Sequence, residues 1–77
     1  MGRLTGTIKR IVTDRETGKR RGFGFIVAED GEEYFFHARS LTGAVREFDH
    51  VNEGDAVRFR AEQGAKGPVA LSVEVRA

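Results

Sequence analysis

The chain has 77 residues, with 13 Lys and Arg against 12 Asp and Glu, and it contains no cysteine. That length predicts one domain with a small core, residues 1–77, and the missing cysteine excludes disulfides and thiolate metal sites. The near-neutral balance does not announce a nucleic-acid partner. No run approaches the ~18 apolar residues of a membrane span, and no charged-then-apolar leader opens the chain, so the expectation is a cytoplasmic protein with no membrane partner.

The distribution of charge says more than its sum. Residues 3–21 carry Arg3, Lys9, Arg10, Arg15, Lys19, Arg20 and Arg21 against only Asp14 and Glu16. The rest of the chain is acidic on balance. The first third would form a basic patch if it folded onto one face. The competing reading is a solvated hairpin whose charges pair locally.

In chain order, the pattern predicts a strand over Arg3–Thr13 and a second over Arg20–Ala28. Asp30-Gly31 is the strongest hairpin signal, because such pairs supply the positive φ angles of a tight turn. A third strand follows over Glu33–His37, then a long connection from Ala38 to Glu53 with one short helical turn near Arg39–Leu41. The fourth strand is predicted over Asp55–Glu62, and the fifth over Val69–Val75 after a turn at Gly64–Gly67. Val57, Phe59 and Ala61 share one face of the fourth. Val69, Leu71, Val73 and Val75 share one face of the fifth. Five short strands without a convincing helix point to an all-β, five-stranded antiparallel barrel, which leaves little exposed edge.

Four of the six phenylalanines lie between positions 23 and 36. Alternation puts Phe23, Phe25 and Val27 on one face of the second strand and Gly22, Gly24, Ile26 and Ala28 on the other. On the third, Phe35 and His37 oppose Tyr34 and Phe36. Alternation alone does not say which face is inside. Three features place Phe23, Phe25, Phe35 and His37 outside. Glycines turned inward make room for bulky residues such as Phe36 and Phe59. A histidine belongs on a wet face. Lys9 on the neighbouring strand and Arg21 on the flank border the rings with cations. Such a face can stack bases on its rings and track phosphates along its border.

Arg21-Gly22-Phe23-Gly24-Phe25-Ile26 and Tyr34-Phe35-Phe36-His37 resemble the two ribonucleoprotein motifs of the bacterial cold-shock domain family. Asp30-Gly31, Phe48 before Glu53-Gly54, and Lys66-Gly67-Pro68 followed by Ala70 and Val73 resemble further parts of its pattern. The resemblance covers nearly the whole chain. It implies an oligonucleotide-binding (OB) barrel that stacks bases on Phe23, Phe25, Phe35, His37 and Phe48. Lys9, Arg21, Asp30 and Lys66 would contact backbone or base. Phe48 could instead cap the barrel, and His37 could be a hydrogen-bonded strand residue. An RNA-recognition motif shares the first signature, but there the second lies upstream and two helices are needed. Three departures are visible. Arg10-Ile11 and Ala38 stand where the family has aromatics, and the connection from Ile11 to Arg21 is longer than usual. The long connection would let Arg15, Lys19 and Arg20 project as a basic arm, with Arg10 replacing a ring by its guanidinium plane.

No other chemistry emerges. Gly22-x-Gly24 lacks the third glycine of a dinucleotide fingerprint, and Lys66 has no following Ser or Thr to make a phosphate loop. His37 and His50 lack partners at metal-ligand spacing. The expectation is therefore a non-enzymatic protein without cofactor, metal or small-molecule substrate. It would bind single-stranded RNA or DNA with little sequence preference and serve as an RNA chaperone affecting transcription or translation. A module that binds another protein through the same aromatic patch is the alternative. Oligomeric state is left open, with a monomer as the expectation.

Overall fold

Short apolar runs separated by glycine turns form strands here because each turn lets the chain reverse before an apolar face grows too long to bury. The computed structural model describes residues 3–43 and 50–76, with Arg20 represented by its backbone alone. The strands are β1 (Leu4–Thr13), β2 (Arg20–Ala28), β3 (Glu33–His37), β4 (Leu41–Thr42), β5 (Ala56–Gly64) and β6 (Gly67–Val75). A 3-10 turn, Ala38–Ser40, precedes β4. The sheet runs β3-β2-β1-β5-β6-β4, and a β3–β6 pairing closes it into a barrel.

The five long strands are those read from the sequence. The closure is not antiparallel throughout: Phe35 of β3 pairs Val69 of β6 in parallel. Parity requires this. Five strands in a ring cannot alternate direction all the way round, so one seam joins two strands that point the same way. The two-residue β4 also pairs β6 in parallel, at Val73 and Glu74. It carries Leu41 into the core, which the sequence pattern had left in a connection.

The core holds Ile8, Ile11, Ile26, Ala28, Tyr34, Phe36, Leu41, Val51, Val57, Phe59, Ala70 and Val73. Phe36 and Phe59 are its largest fully buried side chains. Tyr34 packs on Phe59 with ring centroids 5.1 Å apart. Its hydroxyl donates to Asp30 at 3.2 Å. Burial pushes that hydroxyl's pKa up, and the Asp30 hydrogen bond and the Asp30 and Glu32 charges reinforce the shift. Gly24 lies opposite Phe36. A Cβ at position 24 would stand 2.9 Å from the Phe36 ring and 2.5 Å from the Arg10 carbonyl. The inward glycine is thus the space that Phe36 occupies.

Bulges break the alternation twice where the sequence read as regular. In β1 the register slips between Ile8 and Arg10. Lys9 and Arg10 are therefore both exposed, while Ile8 and Ile11 are both buried. In β6 the register slips opposite Arg58–Arg60, at Ser72, whose φ is +52°. The uniform face expected for Val69, Leu71, Val73 and Val75 is therefore corrected. Ala70 and Val73 are buried, whereas Val69 and Leu71 lie on the outer side and only part-buried. An extra residue in one strand turns every later side chain to the other face. Ala61 is exposed as well, since β5 has by then left the barrel as a hairpin with β6.

The β1–β2 connection is a closed turn. The Glu16 and Thr17 amides donate to Asp14 Oδ1 at 2.8 and 3.2 Å. The Gly18 amide donates to the Asp14 carbonyl at 2.9 Å. The Asp14 amide donates to the Lys19 carbonyl at 2.7 Å. Gly18 sits at φ +74°, a conformation that costs other residues about 1–2 kcal/mol. The two amide donors hold the Asp14 carboxyl below its ordinary range. Partial desolvation opposes them, and the charge of Arg21 adds to the lowering.

Three outcomes are expected. Phe36→Ala should cost about 3–5 kcal/mol in urea unfolding, because it empties the space in front of Gly24. Ser72→Asn should raise stability by about 0.5–1 kcal/mol, since asparagine tolerates the left-handed conformation better than serine; an unchanged midpoint would mean that Ser72 is not strained. The third concerns acid. The Asp14 turn stabilises the ionised carboxylate, so it should be intact at and above the ordinary carboxylate range. It should open as pH falls through the depressed Asp14 value. Amide exchange at Glu16 and Thr17 should accelerate there while that of Phe36 stays slow.

Candidate nucleic-acid interface

β2 and β3 pair with Phe25 opposite Phe35 and Phe23 opposite His37. Their neighbours Gly24, Ile26, Tyr34 and Phe36 are buried, so these four side chains lie on the outer face and are only half-buried. Phe35 is central. Its ring lies 5.5 Å from Phe23 in a tilted arrangement and 5.9 Å from Phe25 edge to face. Aromatic pairs prefer these offset geometries, so the rings brace one another in position while their outer surfaces face solvent.

His37 lies on the ring face and is also hydrogen-bonded. It stands beside Phe23 on the ring face, and its Nδ1 accepts the Arg39 amide at 3.2 Å, capping the 3-10 turn. An accepting nitrogen carries no proton, so in the neutral ring the proton sits on Nε2. Arg10 pairs with Phe25 in the β1–β2 register and is exposed. Its guanidinium borders the rings from β1. Arg10-Ile11 and Ala38 stand where the family has aromatics, but Ile11 points into the core. Position 11 is not part of the ring face.

The cations surround this face unevenly. Lys9 Nζ meets Glu33 Oε2 at 2.8 Å. Lys66 lines a depression of about 660 Å³ together with Phe25, Glu33, Phe35, Pro68 and Val69. The β3–β6 seam creates that depression by bringing the β5–β6 hairpin against Phe35. At the other end, Lys19 and Arg21 are exposed, and Arg21 acts electrostatically on Asp14. Arg20 belongs to β2 by its backbone. Phe48 lies outside the described residues.

Asp30 serves the β2–β3 connection. Its Oδ1 accepts the Glu32 amide at 2.8 Å and its Oδ2 accepts the Tyr34 hydroxyl. The carboxylate beside the rings is Glu33. Alternation could have found it, since Glu33 shares a face with Phe35 and His37. Val69 and Pro68 carried no such local signal, because only the closure of the barrel brings them to Phe35.

The 'Cold-shock' DNA-binding domain model matches residues 4–76. The chain is similar to the cold shock-like protein CspJ of Salmonella typhi, 38% identical over 72 residues, covering 92% of this chain and 91% of the relative. It is similar to the cold shock-like protein CspE of Bacillus anthracis, 37% identical over 70 residues, covering 91% of this chain and 92% of the relative. Among solved structures, drosophila Unr CSD456 superimposes with a TM-score of 0.66 at 26% identity over 97% of this chain, which spans 27% of that larger chain. The closed barrel is thus an OB-fold, and the chain belongs to the cold-shock domain family.

Proposed function

We propose that the whole chain acts as one module that binds single-stranded RNA or DNA with little base preference, without catalysis or a cofactor. The observation that carries this reading is the cluster of Phe23, Phe25, Phe35 and His37, left half-exposed on the outer face while alternate residues fill the core. Bases stack on the rings, each contact contributing about 1–3 kcal/mol. Phosphates follow Lys9, Arg10, Arg21 and Lys66, and Lys19 and Arg20 of the arm extend the track. A base stacked on a ring cannot pair. Binding therefore draws hairpins toward open strands by mass action, the work of an RNA chaperone. The basic border favours this over a protein ligand on the same rings, since a purely apolar contact gains nothing from it.

Calorimetric titration with oligouridine tests the reading. Phe35→Ala removes one surface and the support of two neighbours, so it should cost about 3 kcal/mol of binding, and Phe23→Ala about 1 kcal/mol. Affinity in the unmodified protein should fall steeply with salt. A folded Phe35→Ala protein that binds as before would sink the proposal. Salt-independent binding would shift the reading to a protein interface.

A further inference from the structure

The outer face of β5 and β6 carries charge that the ring face does not use. Arg58 and Arg60 are exposed between the buried Val57 and Phe59 and the hairpin. Arg76, exposed, donates its amide to the Ala56 carbonyl at 2.8 Å, which continues the β6 side of the same face. Arg3, with its side chain 43% exposed, reaches toward Glu74 at 3.9 Å. Glu74 is also the register partner of Arg58. Leu71, half-buried, lies across from Arg60.

The neighbouring carboxylates do not neutralise this group. Glu74 is one charge among four guanidiniums, Arg3, Arg58, Arg60 and Arg76. Glu29 reaches the same face, accepting from the amide and hydroxyl of Thr5, the register partner of Arg58, at 3.1 Å each, so two carboxylates stand among the four guanidiniums and the face keeps a net positive charge. Glu62 sits farther along the hairpin, lining a hollow with Glu32 and Tyr34. Sheet order separates Arg58 and Arg60 on β5 from the ring-bearing strands by β1 on one side and β6 on the other.

We propose that this arginine face is a second nucleic-acid surface that grips sugar–phosphate backbone alone. Arg58 and Arg60 alternate along one strand, so their stems stand about 7 Å apart, comparable to consecutive phosphates on an extended strand. Guanidinium forks match phosphate oxygens in pairs. The face offers no ring for a base, so it reads no sequence. One protein molecule then holds two segments at once, one by its bases and one by its backbone. Presenting splayed bases next to a second strand is the geometry of strand annealing. The backbone grip stands by itself, whereas the annealing geometry rests on the ring-face proposal.

The probe is an abasic deoxyribose-phosphate oligomer, which has nothing to stack on the rings. Followed by amide shifts at about 50 mM salt, it should move Thr5, Arg58, Arg60, Glu74 and Arg76. These shifts should persist after oligouridine has saturated the ring face. Arg58→Gln with Arg60→Gln removes two exposed charges. It should weaken abasic binding more than roughly tenfold and flatten the slope of log affinity against log salt by about 1.4. It should also slow annealing of complementary strands while leaving oligouridine affinity within about twofold. Arg58→Lys with Arg60→Lys should keep the slope. Abasic shifts confined to Lys9, Arg21 and Lys66, or an unchanged slope in the folded Gln variant, would overturn the proposal. So would displacement of the abasic chain by a lower concentration of polyglutamate, which would mark the face as a site for acidic protein. Failure of the ring-face reading looks different: oligouridine would leave Phe25 and Phe35 unmoved whatever the abasic chain does.

Discussion

The contact between Phe36 and the vacant side-chain position of Gly24 sets everything on the outside of this barrel. Phe36 is fully buried, and no side chain fits at position 24 while it is there. Once that pair is inside, the two-residue period of a strand leaves no freedom. Phe23 and Phe25 must point outward on β2, and Phe35 and His37 outward on β3. The apolar rings are exposed because the core has already been filled by others. Ring exposure carries a solvation cost, partly offset by the mutual packing around Phe35.

A second constraint is the parity of the ring of strands. A five-membered closure needs one parallel seam, and here that seam is a single pair, Phe35 with Val69. It carries the Ala65–Lys66 turn and the start of β6 to the edge of the rings and so adds a wall and a cation to an otherwise flat face. Fold and site meet at this point. The residue at the centre of the aromatic cluster is also the residue through which the barrel closes.

Local features of the fold were legible in the sequence. β1, β2 and β5 each end at a turn that contains or is flanked by glycine, and turns are decided by neighbours in the chain. The outward set of rings followed from glycine at position 24, a compositional oddity in an apolar run. What escaped notice depends on remote partners. The Ser72 bulge leaves no mark in β6, which reads as uninterrupted alternation, and it reverses the face of Val69 and Leu71. Leu41 became core only because β6 offered an edge to pair with. Asp30 was placed at the interface by resemblance, and nothing in the sequence signalled that its oxygens also accept from the Glu32 amide and the buried Tyr34 hydroxyl. Glu33 was read only as the start of a strand, although alternation sets it with the rings, where Lys9 meets it. Charge clusters read along the chain say little until the strands separate them by face.

The turn at the end of the β1–β2 arm draws its hydrogen bonds from residues 14–19. A segment that closes on itself in this way makes few demands on the rest of the molecule. Its length and charge can change without repacking the barrel, whereas any change at position 24 disturbs core and ring face together. Under the proposed reading, the arm is therefore a place where the hold on a polyanion is adjustable from a peripheral loop. The ring face has no such independence, because Gly24 and Phe36 tie it to the core.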